Sequence, residues 1–255
     1  MDVFICKSSE EASRLAGEQI IKQIRSTPAL VLGLATGSTP LLLYKELIKA
    51  CQAGTDFSRV RSFNLDEYVG LPPDRPQSYR KFMDDNLFSH LNIRRENTHV
   101  PDGMAHDIPA HCKTYEAEMK AAGGVDIQVL GIGSDGHIGF NEPGSSLASR
   151  TRMVTLTEQT LRDNARFFKN ESEVPRYAIS MGVGTILEAK QCVMLCFGAN
   201  KAKAVKGAIE GGISQFNPAS ALQTHPNTVV YLDEAAAADL QLKDYYRWAS
   251  THKPQ

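Results

Sequence analysis

No apolar run in this sequence reaches the ~20 residues that a membrane-spanning helix needs. The opening stretch "MDVFICKSSEEASR" has neither the basic start nor the apolar core of a secretory signal, so a cytoplasmic protein is expected. Charge of one sign is lacking too: 28 Lys and Arg stand against 29 Asp and Glu, scattered along the chain. That excludes the basic stripe of a nucleic-acid binder and the acidic tail of a charge-driven partner. Five cysteines are few and odd in number, and Cys6, Cys51, Cys112, Cys192 and Cys196 lie mostly in apolar or helical segments. They read as reduced, structural thiols, and no set at zinc-ligand spacing accompanies them. There is no repeat, low-complexity tract or Pro/Gly/Ser linker. One catalytic domain spanning 1–255 is the simplest organisation for 255 residues of ordinary globular composition.

What is present is an alternation. Short β-branched runs at 3–6, 29–35, 59–65, 98–100, 125–133, 152–156, 177–182, 192–198 and 228–233 alternate with helical patterns. Ser8-x-x-Glu11 reads as a capping box opening a helix to about Arg25. Thr39-Pro40 reads as an N-cap followed by a first-turn proline, opening a helix to about Ala53. Helices are also expected over 77–90, over 107–122, and on both sides of the 192–198 strand. The continuous apolar strands imply an α/β fold, a mostly parallel sheet with helices on both faces. The polar, helix-prone segment 157–175 is a candidate mobile lid.

Gly131-Ile-Gly133-Ser-Asp-Gly136 spells the glycine pattern of a dinucleotide-binding turn. That turn needs a helix opening from its third glycine and an acidic residue ~20 positions on. Here "HIGFNEPGSS" follows, with Gly139, Pro143 and Gly144 breaking any helix. The glycines read instead as backbone that comes close to a small ligand at a strand end. Neither a Gly-Lys-Ser/Thr phosphate loop nor a G-x-S-x-G nucleophile turn occurs.

Three strand-end loops carry chemistry. Thr36-Gly37-Ser38-Thr39 runs into a helix N-terminus, where free N–H groups, hydroxyls and the helix dipole favour an anion such as phosphate. Asp66-Glu67 follows the 59–65 strand. Asp135-Gly-His137, with Glu142 five residues on, sets a histidine between acids in a glycine-rich loop. An imidazole with a pKa of ~6.5, raised and oriented by carboxylates, suits proton transfer. The proton-transfer set is therefore Asp66, Asp135, His137 and Glu142. One histidine with acids scattered in sequence is poor support for a metal, so neither metal nor other cofactor is expected. The loops together imply an enzyme for a small phosphorylated molecule.

"LGLATGSTP", "FNLDEYVGLP", "GIGSDGHIGFNEP", "SSLASRTR", "NARFF" and "GANKAKA" together resemble the glucosamine-6-phosphate deaminase (isomerase) family nearly end to end. The resemblance implies a single-domain, Rossmann-like fold with a small helical lid. It also implies isomerising deamination of glucosamine 6-phosphate with water to fructose 6-phosphate and ammonia. Asp66 would be the base moving a proton from C2 to C1 through an enolamine. His137 would open the pyranose ring, with Asp135 and Glu142 as its relay. Arg166 and Lys201 would complete the phosphate cage begun by Thr36–Thr39. Two alternatives stay open: a 6-phosphogluconolactonase-type hydrolase, from which Glu142 distinguishes the chain, and a non-catalytic sugar-phosphate sensor. With a first strand expected at residue 3, the DNA-binding helices of such sensors are not expected here.

Some family members are hexamers activated by N-acetylglucosamine 6-phosphate through the serines and basic residues of "SSLASRTR". Ser145, Ser146 and Arg152 are present, but Val154 stands where a lysine is expected and the stretch after Trp248 is short and polar. This form of activation is therefore not expected. The sequence leaves hexamer, dimer and monomer all open.

Overall fold

The computed structural model describes residues 1–252 except 166, 167, 169, 171 and 172, with 163 and 164 described as backbone only. The first half contains β1 (Asp2–Cys6), α1 (Ser9–Ser26), β2 (Val31–Leu34), α2 (Leu41–Gln52), β3 (Arg61–Asn64), β4 (Asp66–Tyr68), α3 (Tyr79–Asn86), β5 (Thr98–His99), α4 (Ile108–Ala121) and β6 (Ile127–Leu130). The second contains β7 (Arg152–Thr155), α5 (Glu158–Ala165), β8 (Tyr177–Ser180), α6 (Val183–Leu187), β9 (Gln191–Cys196), α7 (Ala202–Ile209), β10 (Thr228–Asp233) and α8 (Lys243–Thr251).

Seven strands form one parallel sheet in the order β1-β10-β9-β6-β2-β3-β5. Alternate residues of a strand point to opposite faces, and both faces here are covered. On β9, Cys192, Met194 and Cys196 join one apolar core while Val193 and Leu195 join the other. That is why the strands read as unbroken apolar runs. The five cysteines are free thiols. Among the described residues no helix is long and apolar enough to cross a membrane.

Connections from β2 run outward to β3 and β5, whereas those from β6 run the other way to β9 and β10. The order therefore reverses between β2 and β6. The loops leaving those two strands diverge there and open a crevice, the usual ligand position in an open parallel sheet.

Several expectations need correcting. Thr39 does not cap α2: the N-cap is Pro40, without a side-chain hydrogen bond, and the helix begins at Leu41. A tight turn, with Leu41 N–H reaching Ser38 O at 3.4 Å, occupies the span given to the first helical turn. The 77–90 helix is shorter, α3 being capped by Ser78 and ending at Asn86, with a separate 3-10 turn at Phe88–His90. The 152–156 and 177–182 strands are not in the parallel sheet. They pair antiparallel with each other and with β4, in the order β4-β8-β7. The Asp66-Glu67 pair lies within this small sheet and not on an open loop. The α8 helix and the 3-10 turn at Pro218–Thr224 were not anticipated. Within 157–175 the described helix covers only Glu158–Ala165.

The Ser8 cap of α1 does form: Ser8 Oγ accepts from Glu11 N–H at 3.3 Å, while Glu11 reaches back to Lys7 N–H at 2.7 Å. A second carboxylate makes the fold's most consequential helix contact. Glu67 is 2% exposed. Its oxygens accept the backbone N–H of Tyr68 at 2.8 Å and those of Tyr79 and Arg80 at 2.9 Å. It thus caps α3 from β4, and the helix dipole favours its charge. Burial raises its pKa, and these three donors oppose that rise. The contact fixes the backbone of Asp66 next to it.

Glu67→Ala would leave these donors without their acceptor and should lower unfolding free energy by roughly 2–4 kcal/mol. Glu67→Gln, which keeps one acceptor oxygen, should lose less. Urea unfolding of both variants checks this; equal stability of Glu67→Ala and the parent would contradict the capping role.

Candidate active site

The crevice between β2 and β6 is a cavity of about 440 Å³. Its walls include Thr36, Gly37, Ser38 and Thr39 after β2, Asp66 on β4, His137 beyond β6 and Lys201 beyond β9. Residues far apart in sequence thus meet in one space.

Asp66 is 6% exposed. Burial pushes its pKa up to about 8, Glu67 next door adds to the rise, and His137 opposes it. A carboxyl held this high is a far stronger base when ionised than one in water.

His137 faces the cavity, and Asp135 and Glu142 stand beside it without lining that cavity. Its Nδ1 lies 2.7 Å from Asp135 Oδ1 and 3.4 Å from Glu142 Oε2. Both are charge contacts, since Nδ1 is buried and aligned with neither oxygen for a hydrogen bond. Burial alone would lower the imidazole pKa; the two carboxylates outweigh it and lift the value to about 9. Burial pulls Asp135 the other way, but His137 holds its carboxyl well below the usual range. The Asp135 side chain also accepts His137 N–H at 3.1 Å, pinning the turn.

The acids scattered in sequence are therefore gathered in space. One ligand atom each of Asp135, His137 and Glu142 lies within 4.8 Å of the others, a grouping that could hold a metal ion. This corrects the sequence expectation that no such cluster forms.

The glycines divide between the cavity wall and the packing behind it. Gly131 and Gly133 line the cavity, and a Cβ on Gly133 would also meet His137 Nδ1 at 2.3 Å, so this glycine makes room for the imidazole ring as well. Gly136 has φ +93°, a conformation side chains resist, and a Cβ there would strike Asn217 at 2.4 Å. On Gly131 a Cβ would find ordinary contact with Thr39 at 3.7 Å. No helix follows Gly136; the chain turns back through an Ile138–Asn141 bridge.

Of the residues singled out in sequence, Ser145 and Arg152 meet each other. Arg152 donates to Asn141 Oδ1 at 2.9 Å and to Ser145 Oγ at 3.3 Å. Ser146 Oγ closes a local turn by accepting Ala148 N–H at 3.2 Å. Val154 packs against the aromatic cluster of Tyr68 and Phe140, an unfavourable place for a lysine charge. Arg166 lies outside the described residues.

Sequence reasoning missed one wall altogether. Tyr68, Tyr79, Phe140 and Phe168 line the cavity and pack together, with Tyr68–Tyr79 centroids 4.9 Å apart. Tyr79 OH donates to Tyr68 OH at 3.3 Å. It also missed Thr160 of α5, which lines the cavity and contacts Glu142. The alternation of Tyr68 with Asp66 on β4 was the one available signal.

Comparison with known proteins agrees with this geometry. Residues 7–231 match the family model for glucosamine-6-phosphate isomerases/6-phosphogluconolactonase. The chain is 53% identical over 252 residues to a glucosamine-6-phosphate deaminase of Hahella chejuensis, covering 98% of this chain and 96% of that one. It is 52% identical to one of Clostridioides difficile, over 96% and 99% of the two chains. A solved monomeric glucosamine-6-phosphate deaminase superposes with TM-score 0.91 at 44% identity, over 94% of this chain and 100% of that one. A 6-phosphogluconolactonase from Trypanosoma cruzi shares the fold, with TM-score 0.76 at 21% identity over 94% and 97%. Sheet order, crevice and motif-bearing loops thus converge with sequence likeness along almost the whole chain, which belongs to the glucosamine-6-phosphate isomerase/6-phosphogluconolactonase family.

Proposed function

We infer that the protein is a glucosamine-6-phosphate deaminase, converting glucosamine 6-phosphate and water to fructose 6-phosphate and ammonia. Identity near 50% over the whole chain to proteins of that name supports the activity. The observation that carries the mechanism is a buried carboxyl and a two-acid histidine on the walls of one cavity whose rim holds a hydroxyl-rich turn.

In this reading the phosphate lies on Thr36, Gly37, Ser38 and Thr39, with Lys201 supplying positive charge and Arg166 closing the cage. The sugar then extends toward Asp66 and His137. The closed pyranose hides its carbonyl carbon, so the ring opens first. His137, charged at neutral pH, gives a proton to the ring oxygen as the C1 hydroxyl loses one, and Asp135 and Glu142 stabilise the charge that passes through the imidazole. Asp66 then takes the proton from C2, leaving an enolamine, and returns it to C1. The resulting C2 iminium is attacked by water and expels ammonia, giving the ketose. Ring opening breaks the C1–O5 bond with proton transfer to the ring oxygen, and loss of ammonia breaks the C2–N bond after water adds and the nitrogen is protonated.

The aromatic wall of Tyr68, Tyr79, Phe140 and Phe168 shields the reacting carbons, and α5, whose Thr160 lines the cavity, serves as the described part of the 157–175 lid. Arg152 is already engaged by Asn141 and Ser145, and Val154 is apolar, so this reading gives "SSLASRTR" a structural part and no activator site. The enzyme acts in the cytoplasm on a small amino-sugar phosphate.

Sensors need no proton-transfer set, and the gathering of Asp66, Asp135, His137 and Glu142 at or beside one cavity supports the catalytic reading. Lactone hydrolysis needs no base beside C2; ammonia release from glucosamine 6-phosphate, with 6-phosphogluconolactone as control, separates the readings. Asp66→Asn should cut ammonia release by roughly 10³-fold or more; an unchanged rate would remove Asp66 as the base.

The pH dependence has a definite sign. Asp66 works ionised, and its free-enzyme pKa is about 8. The kcat/KM for solvent-deuterium exchange at C1 of fructose 6-phosphate, which carries no amine, should therefore rise about tenfold per pH unit below that value. A flat profile between pH 6 and 8 would assign the step to another group. His137→Gln should depress turnover of the cyclic amino sugar much more than this exchange; equal losses would contradict a ring-opening role.

A further inference from the structure

Glu142 is 7% exposed, and its two oxygens face different neighbours. Oε2 is the one 3.4 Å from His137 Nδ1. Oε1 accepts from Thr160 Oγ1 at 2.5 Å, with Thr157 Oγ1 standing 3.4 Å away. Both hydroxyls come from the start of α5, across the cavity wall from the loop that carries Glu142.

The threonines are themselves ordered. Thr157 caps α5: its Oγ1 accepts Thr160 N–H at 3.2 Å, and its carbonyl accepts Leu161 N–H at 2.9 Å. Thr157 Oγ1 also lies 3.0 Å from Thr160 Oγ1. A hydroxyl has one proton to donate. With the Thr157 proton directed to Thr160, the Thr160 proton is directed to Glu142, and a hydroxyl–carboxylate bond at this distance is of the strong, charge-assisted kind. Thr160 is itself 7% exposed, so water does not readily replace it. Leu161, one residue on, packs against the Tyr68–Phe140 cluster and seats the helix.

The arrangement solves a like-charge problem. Asp135 and Glu142 both crowd one imidazole, and Asp66 acts on that imidazole from the cavity side. A Glu142 carboxylate held at one oxygen by a donor keeps its other oxygen on His137; without the donor it is free to rotate away from Asp135. We propose that Thr160 is a positioning residue of the reaction: its hydroxyl fixes the Glu142 carboxylate against His137, so that the proton relay is complete while α5 is seated on the cavity. This rests on the ring-opening role given to His137 above.

Two variants test it. Thr160→Val keeps the shape and removes the hydroxyl; Thr160→Ser keeps the hydroxyl and removes the methyl group. Thr160→Val should lower kcat for glucosamine 6-phosphate by about 10- to 100-fold, the scale of a catalytic group misplaced by about an ångström, with KM within about twofold. Thr160→Ser should stay within about threefold of the parent kcat. Solvent exchange at C1 of fructose 6-phosphate, which depends on Asp66 and not on Glu142, should change little in either. An unchanged kcat in Thr160→Val would overturn the proposal. So would a Thr160→Ser variant as impaired as Thr160→Val, which would make the effect one of packing, or a raised KM at constant kcat, which would make Thr160 a substrate contact. A parent enzyme that releases no ammonia at all would overturn the functional reading itself, a result distinct from any of these.

Discussion

A half-buried imidazole held between two carboxylates is the constraint around which the site is built. Charge in a cavity wall is costly unless it is paired, and His137 is paired twice. The pairing explains the neighbouring sequence. Gly133 lacks a side chain because the ring occupies that space, and Gly136 turns the chain so that Asp135 and His137 face each other. Asn141, buried, donates to Ile138 O at 2.9 Å and Met181 O at 2.8 Å, which stiffens the loop just ahead of Glu142. Arg152 braces that asparagine from β7. What first resembles a nucleotide-binding fingerprint is thus a frame for one histidine.

The second acid centre is built by a different device. Asp66 owes its place to a three-stranded antiparallel sheet attached to the end of β3, where it pairs with Ser180 and Ser180 pairs with Arg152. Glu67, facing away, anchors the same strand to α3. The two adjacent acids therefore divide the work: one is buried among backbone donors that stabilise its charge, and the other is buried without them, with its pKa raised to about 8. The main sheet brings the centres together, because its strand order reverses where the β2 and β6 loops part.

The parallel sheet was legible in the sequence, because strands covered on both faces are apolar throughout and separated by helical patterns. That the Thr36–Thr39 turn would lie at a strand-end crevice, and that Asp135, His137 and Glu142 would group, was legible from residue type and spacing. The small sheet was not, since β4 has three residues and two of them are acids whose burial depends on partners more than ten positions away. The start of α2 was misplaced because a Thr-Pro pair satisfies the capping rule equally well as the turn that precedes the helix. The aromatic wall and Thr160 left little trace, because their meeting depends on how β4, α3 and α5 fold over the crevice and not on any local pattern. One of the three glycines was read for the wrong reason: Gly131 and Gly133 line the cavity, but the group close to Gly136 is Asn217.

The most direct test of this account is a crystal structure with an unreactive open-chain analogue of the amino-sugar phosphate. The account predicts the phosphate on the Thr36–Thr39 turn, the Asp66 carboxylate within roughly 3–3.5 Å of the first two carbons, the reach of a reactive pose, and His137 beside the oxygen that closes the ring. An analogue bound with Asp66 and His137 both remote from those atoms would contradict it.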